Sequence, residues 1–272
     1  MGTPHLVIFG LGYTATALAK RVAARGWDVT ATTRDGRGGT VRFDDSVAVH
    51  AALRTATHIL SSVPPSADDS DPVLVQYGQA VALSPARWIG YLSSTGVYGD
   101  TGGAWVDEGA PIRGRRAGRN DADLAWQGLR GVTRIFRLPG IYGPGRSAID
   151  RVRDGKAHLV DLPEQIFSRI HVDDIIGAIL ASFASDSFGI FNIADDLPCS
   201  QNDVIVAAAA MLGVAPPAMI GIDDPALSPM ARAFYAENRR VANGRAKRLL
   251  GWRLKYSDYH SGLRACLLAT RS

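Results

Sequence analysis

Long apolar runs are missing from this chain. None reaches the roughly 20 residues that a helix needs to cross a bilayer, and no basic-then-apolar segment precedes the first apolar run, which begins by His5. These absences predict a cytoplasmic protein with no membrane partner. Cysteine is scarce as well. Cys199 and Cys266 lie far apart, and neither has a Cys or His at metal-ligand spacing, which argues against a disulfide framework and a zinc site and leaves both as packing residues. No metal is expected. Internal repeats and low-complexity tracts are also absent. With 46% apolar and 21% charged residues the composition excludes a disordered chain.

Charge of one sign is concentrated in a single place, the run Arg113-Gly114-Arg115-Arg116-Ala117-Gly118-Arg119, within a chain of net charge +4. Such a run could face nucleic acid, but no aromatic platform or recognition-helix pattern accompanies it. Anion binding in a pocket is the stronger reading, a solvated loop the alternative, and no nucleic-acid partner is expected.

What is present is a regular alternation of short apolar runs and amphipathic segments, the pattern of parallel strands with crossover helices. Leu6 to Phe9, Val29 to Thr32, a weaker run around Val41 to Phe43, His58 to Ser61, Trp88 to Leu92 and Val132 to Leu138 read as strands, and Ile190 to Ile193 as one more late in the chain. Ala15 to Ala24 carries Leu18 and Val22 on a helical stripe and stops at Gly26. After Pro198 the pattern turns helical, at Val204 to Leu212, Pro229 to Asn238 and Gly244 to Leu250. At 272 residues the chain suits one large core with a smaller attachment. The expected architecture is α/β: a Rossmann-type, doubly wound parallel sheet with a small, mainly helical C-terminal lobe. The dinucleotide-binding domain would span 1–145 with 166–196 returning to it, and the substrate lobe 197–272 with 146–165 contributing.

Gly10-Leu11-Gly12-Tyr13-Thr14-Ala15 follows the first strand and opens the first helix, the context in which G-x-G-x-x-G/A marks a dinucleotide site. Gly10 permits the tight turn, Gly12 lets the backbone approach a pyrophosphate, and Ala15 keeps helix and strand close; the helix N-terminus then meets the phosphates. The second strand ends Thr32-Thr33-Arg34. An acid commonly grips the ribose hydroxyls of NAD at that place, whereas Arg34 suits a 2′-phosphate. NADP is therefore expected, with NAD as the alternative, because Asp35 could take the ribose if the strand ended one residue later. Asp44 sits where an acid could meet the adenine, and Ser62, Val63 and Pro64 close the fourth strand at the sheet edge where ligands lie.

Four motifs, in order, carry a resemblance: Gly10 to Ala15, Leu92-Ser93-Ser94-Thr95-Gly96-Val97-Tyr98-Gly99-Asp100, Arg137-Leu138-Pro139-Gly140-Ile141-Tyr142-Gly143-Pro144-Gly145, and Arg169-Ile170-His171-Val172-Asp173-Asp174. From about Leu6 to Leu267 the sequence resembles an extended short-chain dehydrogenase/reductase of the NAD(P)-dependent epimerase/dehydratase type. The resemblance implies a catalytic hydroxyl at Ser94, with Thr95 as its near alternative, and cofactor contacts from Pro139, Gly140, Ile141 and Tyr142. It implies that His171 and Asp173 organise the helix that follows. The family's Tyr-x-x-x-Lys, whose lysine lowers the tyrosine pKa for proton transfer, is absent: no Tyr is followed four residues later by Lys. If Asp123 matches the acid further along the same helix, Arg115 and Arg119 stand in the Tyr and Lys places. Arginine does not release its proton near neutral pH but can hold an anion, so both are read as substrate-binding. Tyr98 is the nearest phenol for a substitute role.

Two functions follow as expectations. One is an NADP-dependent oxidoreductase or epimerase acting on a small polar or anionic substrate, a nucleotide sugar among the candidates, held between the main domain and the lobe. The other is a non-catalytic sensor or regulator of the same fold that reports NAD(P) to a partner. Self-association is left open.

Overall fold

Leu6, Val7, Ile8 and Phe9 are each no more than 1% exposed, so strand β1 (His5–Phe9) is covered on both faces, as a central parallel strand must be. In the computed structural model, which describes residues 2–270, β1 is followed in the main sheet by β2 (Asp28–Thr33), β3 (Val41–Arg42), β4 (His58–Ser61), β5 (Trp88–Ser94), β6 (Thr133–Leu138) and β7 (Gly189–Asn192). The seven strands lie in the order β7-β6-β5-β4-β1-β2-β3. β1 pairs with β2 and with β4, β2 with β3, and β4 with β5, all parallel. Strand order reverses between β1 and β4, the place where open α/β sheets bind ligands at their carboxyl edge. The expected Rossmann-type sheet is thus the observed one.

The chain divides into two compact units. Unit one comprises the chain up to Val97, Gly114–Arg137 and Ile179–Phe191, and carries this sheet with helices α1 (Tyr13–Ala23), α2 (Ser46–Thr55), α3 (Pro72–Leu83) and α4 (Ala117–Leu129). Its core packs Val7, Phe9 and Ile89 of the strands against Val73 and Tyr77 of α3 and Trp126 of α4. Tyr91 stacks on Trp126 with ring centroids 5.2 Å apart. Side chains cap two of the helices: Asp45 accepts from the amide of Ala48 at the start of α2, and Asp71 from those of Val73 and Leu74 at the start of α3.

Unit two comprises Tyr98–Arg113, Leu138–Ala178 and Asn192–Ser272. It contains α5 (Ala148–Arg153), the start of α6 (Val172–Phe183), α7 (Gln201–Leu212), α8 (Pro229–Tyr235), α9 (Gly244–Leu250) and α10 (Tyr259–Ala269). Ile149 of α5, Ile205 and Ala208 of α7, and Leu263 and Cys266 of α10 form its core. Cys199 and Cys266 are both buried and free. The helix expected over Pro229 to Asn238 stops at Tyr235, where Asn238 instead turns to Asp100 and Glu164 with its amide and side chain. Three parallel ribbons of two or three residues per strand supplement the helices: Gly140–Tyr142 with Arg169–His171, Leu159–Val160 with Met219–Ile220, and Trp105–Val106 with Arg240–Val241. No helix among the described residues is long and apolar enough to cross a membrane.

Candidate functional site

The two glycines of the first turn sit there for different reasons. Gly10 has φ +82°, and a Cβ on it would lie 2.8 Å from Val63 Cγ2 and 3.2 Å from Ser62 Oγ, so the turn itself requires glycine. Its amide donates to Thr32 Oγ1 at 3.3 Å, its carbonyl accepts from Ser62 Oγ at 2.6 Å, and the Leu11 amide donates to the Thr32 carbonyl at 3.2 Å. The ends of β2 and β4 therefore lock the turn from both sides. Gly12, by contrast, has φ −84° and ψ −170°, extended values open to any residue, and a Cβ there would meet nothing within 4 Å. Nothing in the fold demands glycine at this position. It is the first cap of α1, where no side chain bonds the helix terminus and no acid stands in the first turn, so a bare, positively polarised terminus faces the space that Gly12 keeps open. Leu11 and Tyr13 are half-buried beside it, while Thr14 and Ala15 are buried beneath.

At the end of β2, Thr33 Oγ1 accepts from the Gly36 amide at 3.0 Å and lies 2.7 Å from Thr40 Oγ1, pinning the turn. Asp35 is absorbed by the same turn: it accepts from Thr33 Oγ1 and stands 3.5 Å from Arg37. Arg34 is exposed and makes no ion pair among the described residues. The carboxylate of Asp44 is gripped by Arg42 in a planar pair, Nε to Oδ1 at 3.0 Å and Nη2 to Oδ2 at 2.8 Å, and that guanidinium holds its carboxyl below the usual carboxylate range. Val63 is half-buried against Gly10 and Pro64 is exposed.

The carboxyl end of β5 brings Ser93, Ser94 and Thr95 together. Ser94 is half-buried and its Oγ accepts from the Gly96 amide at 3.1 Å, which leaves the hydroxyl proton to point elsewhere; Thr95 is 3% exposed. Below them Ser93 Oγ donates to Asp123 Oδ2 at 2.5 Å, Arg137 donates to both oxygens of Asp123 at 3.1 and 2.7 Å, and Gln127 Nε2 donates at 2.6 Å. One buried carboxylate on α4 thus ties the helix to β5 and β6. Sequence reading passed over Ser93 and Arg137; the available signal was a lone arginine inside the apolar run Ile135-Phe136-Arg137-Leu138.

Arg115 and Arg119 do not share a helix. α4 starts at Ala117 with Arg116 as its cap, so Arg115 lies in the exposed approach and only Arg119 is helical and half-buried. The cause is close packing at two glycines. The Gly114 amide donates to the Val97 carbonyl at 2.8 Å, and a Cβ at Gly114 would lie 2.4 Å from the Gly96 carbonyl oxygen. At Gly118 a Cβ would come within 2.6 Å of Asp69 backbone atoms. Gly114 holds the loop against the strand end, with Arg115 exposed on that loop and Arg119 half-buried on the helix.

In unit two, Pro139 is half-buried and Gly140 exposed, Ile141 is half-buried, and Tyr142 turns its side chain into the core at 8% exposure. Any cofactor contact from Tyr142 is therefore a backbone one. Tyr98, 1% exposed, donates its phenol proton to Asn192 Oδ1 at 2.7 Å, and Glu108 accepts from the Asn192 amide at 2.8 Å; burial raises the Glu108 pKa. This phenol anchors packing. His171 Nδ1 accepts from the Asp173 amide at 3.1 Å, ending the strand and starting α6, while Asp173 pairs with Lys255 at 2.9 Å.

No family model matches the chain. Protein YeeZ of Escherichia coli (strain K12) is 30% identical over 250 residues, covering 78% of this chain and 85% of that protein. A 3-diazoavenalumate denitrifying reductase from a Streptomyces species is 31% identical over 140 residues; the match spans 47% of this chain and 45% of that protein, less than half of its length. Among solved structures, a functionally unknown conserved protein from Silicibacter pomeroyi superposes with a TM-score of 0.86 at 39% identity, covering 98% of this chain and 99% of that one. More distant likenesses show the same fold. MoeE5 in complex with UDP-glucose and NAD has a TM-score of 0.77 at 18% identity, with 99% of both chains covered. The human epimerase family protein SDR39U1 with NADPH has 0.76 at 17%, covering 97% of this chain and 99% of that one.

Proposed function

Since the chain belongs to the same family as Protein YeeZ of Escherichia coli and has the fold of extended short-chain dehydrogenases/reductases, we propose that it binds a nicotinamide dinucleotide, NADP in preference to NAD, and uses it on a small polar or anionic substrate. The observation that carries this is Gly12. Its backbone is ordinary and its surroundings are open, so the glycine serves something outside the chain, and it stands at a bare helix terminus that suits a pyrophosphate. Arg34 supplies the charge for a 2′-phosphate, with Asp35 already committed to its own turn.

A dinucleotide bound there supplies hydride chemistry. The residues of unit one would do the rest. Ser94 keeps a hydroxyl proton to donate to a substrate oxygen, and Arg115 and Arg119 hold an anionic group. Reduction is favoured over epimerisation, because removing a proton from an alcohol calls for the Tyr-x-x-x-Lys pair that this chain lacks. Similarity to a protein named as a reductase supports the same direction.

A second reading, a dinucleotide sensor without catalysis, is favoured by one specific observation: the phenol of Tyr98, the candidate for a substitute role, is engaged by Asn192. The test begins with calorimetric titration of NADPH and NADH, followed by a screen of NADPH oxidation against keto acids, ketones and nucleotide sugars. Absence of dinucleotide binding overturns the whole reading. Tight binding with no turnover selects the sensor, and turnover lost in Ser94→Ala selects the enzyme.

A further inference from the structure

Tyr142, Arg169 and Asp195 share a peculiarity. Each is more than nine-tenths buried, at 8%, 5% and 1% exposure, and each carries a polar atom with no hydrogen-bond partner: Tyr142 Oη, Arg169 Nη2 and Asp195 Oδ2. The backbone holds the three near one another. Tyr142 and Arg169 lie on adjacent strands of one ribbon, in the register Arg169 to Gly140 and His171 to Tyr142, and the Asp195 amide donates to the Arg169 carbonyl at 2.8 Å. Their other atoms are occupied. Arg169 Nη1 donates to Cys199 Sγ at 2.6 Å and the guanidinium lies 5.8 Å from the centre of the Tyr259 ring, while Asp195 Oδ1 accepts from the Leu197 amide at 3.3 Å.

The phenol of Tyr142 is the most telling member. A Cβ on Gly262 of α10 would lie 2.0 Å from its oxygen, so the helix gives up a side chain to admit a hydroxyl that bonds to no protein atom. A buried polar atom left dry carries the full penalty of its lost hydration. We propose that Tyr142 Oη, Arg169 Nη2 and Asp195 Oδ2 enclose one bound water molecule inside unit two. The donor set selects that guest. Arg169 can only donate, while Tyr142 Oη and the Asp195 carboxyl can each donate or accept, so the guest must be small and accept from the guanidinium; a cation would face that charge, and a water meets all three groups whichever way Asp195 is protonated. Burial pushes Asp195 up to about 8 and raises Tyr142 further above its ordinary value, consistent with groups that find too little solvation in the protein alone. The water would join Asp195 and Arg169 into one solvent-separated pair and fix the tip of the Gly140–Tyr142 strand.

Tyr142→Phe tests the idea by sign. If the hydroxyl holds a water, its removal lowers Tm by about 2–4 °C, the effect of roughly one hydrogen bond in a chain of this size. If it is simply unpaired, Tm stays or rises, and the proposal fails. Asp195→Asn and the double variant complete a cycle: residues sharing one water give a double loss clearly smaller than the sum, and additive losses overturn the shared site. Magnetic relaxation dispersion should count one fewer long-lived water in Tyr142→Phe than in the parent; an equal count is contrary evidence. A Tm that climbs with chloride at constant ionic strength in the parent and not in Tyr142→Phe would replace the water with an anion and overturn the proposal.

Discussion

Arg137 and Asp123 form an ion pair sealed from solvent, with Nη2 2.7 Å from Oδ1 and side chains 1% and 0% exposed. The guanidinium meets both carboxylate oxygens, and Ser93 and Gln127 complete the shell. Two of the elements it joins carry candidate site residues: Ser93 precedes Ser94 on β5, and Asp123 follows Arg119 by one helical turn on α4. The pair is a brace under the site.

Breaking the brace on one side should be worse than removing it whole. Asp123→Ala takes the carboxylate away from a buried cation and should cost about 3–5 kcal/mol in urea unfolding, whereas a double replacement by apolar residues of similar volume should cost much less. Equal losses in the single and double variants would show that packing, not charge, sets the effect.

The contrast between Gly10 and Gly12 yields a paired experiment. Gly10→Ala should destabilise the protein by about 1 kcal/mol or more, because it strains a left-handed residue and drives a methyl into Val63. Gly12→Val should leave Tm within about 2 °C of the parent while abolishing NADPH binding in calorimetry. An unaltered dissociation constant in Gly12→Val would mean that the dinucleotide lies elsewhere.

Cofactor choice should follow Arg34. A charge-assisted contact with a phosphate contributes about 1.5–3 kcal/mol, so NADPH should bind roughly tenfold to a hundredfold more tightly than NADH, and Arg34→Ala should bring the two affinities together. A preference that survives the substitution points to Arg37 or Arg42 instead.

Acid sensitivity should have one traceable source in unit one. His58 packs against the stacked rings of Trp27 and Phe183, with centroids at 4.6 and 4.7 Å, and burial pushes its imidazole down to about 4. Below its unfolded pKa near 6.5 the unfolded chain takes up a proton that the folded one refuses. Stability from this residue is therefore complete above pH 6.5 and lost as pH falls toward 4, by roughly 3 kcal/mol at most. The difference between parent and His58→Phe unfolding energies, measured from pH 8 to 4, should be flat above 6.5 and shrink below it. A difference that is constant across the range refutes the assignment.

The inner strands were legible because β1 and β4 are buried on both faces and so appear as apolar runs such as Leu6-Val7-Ile8-Phe9. The first turn was legible as a motif, but both of its glycines look alike in sequence; only φ and the surroundings separate the one the fold needs from the one it does not. The family resemblance set Arg115 and Arg119 in the Tyr and Lys places of one helix, whereas Gly114 docks on Gly96 and Val97 and the helix begins only at Ala117. Ser93, Asp123 and Arg137 were out of reach as a group: each is a single polar residue in its own segment, and no periodicity joins them. The ribbons of unit two are too short to leave any pattern at all.

The order of strands sets a timetable for synthesis. Strands β1 to β5 are all made by Ser94, but the partner of β5 on its open side, β6, begins only at Thr133. At a ribosomal pace of roughly 5–20 residues per second, those intervening residues take several seconds, during which the apolar edge of Trp88, Ile89 and Tyr91 has no neighbour. Nascent chains halted in this interval should be the ones that engage chaperones, and truncations ending between Ser94 and Thr133 should collect in inclusion bodies while those that reach past β7 do not.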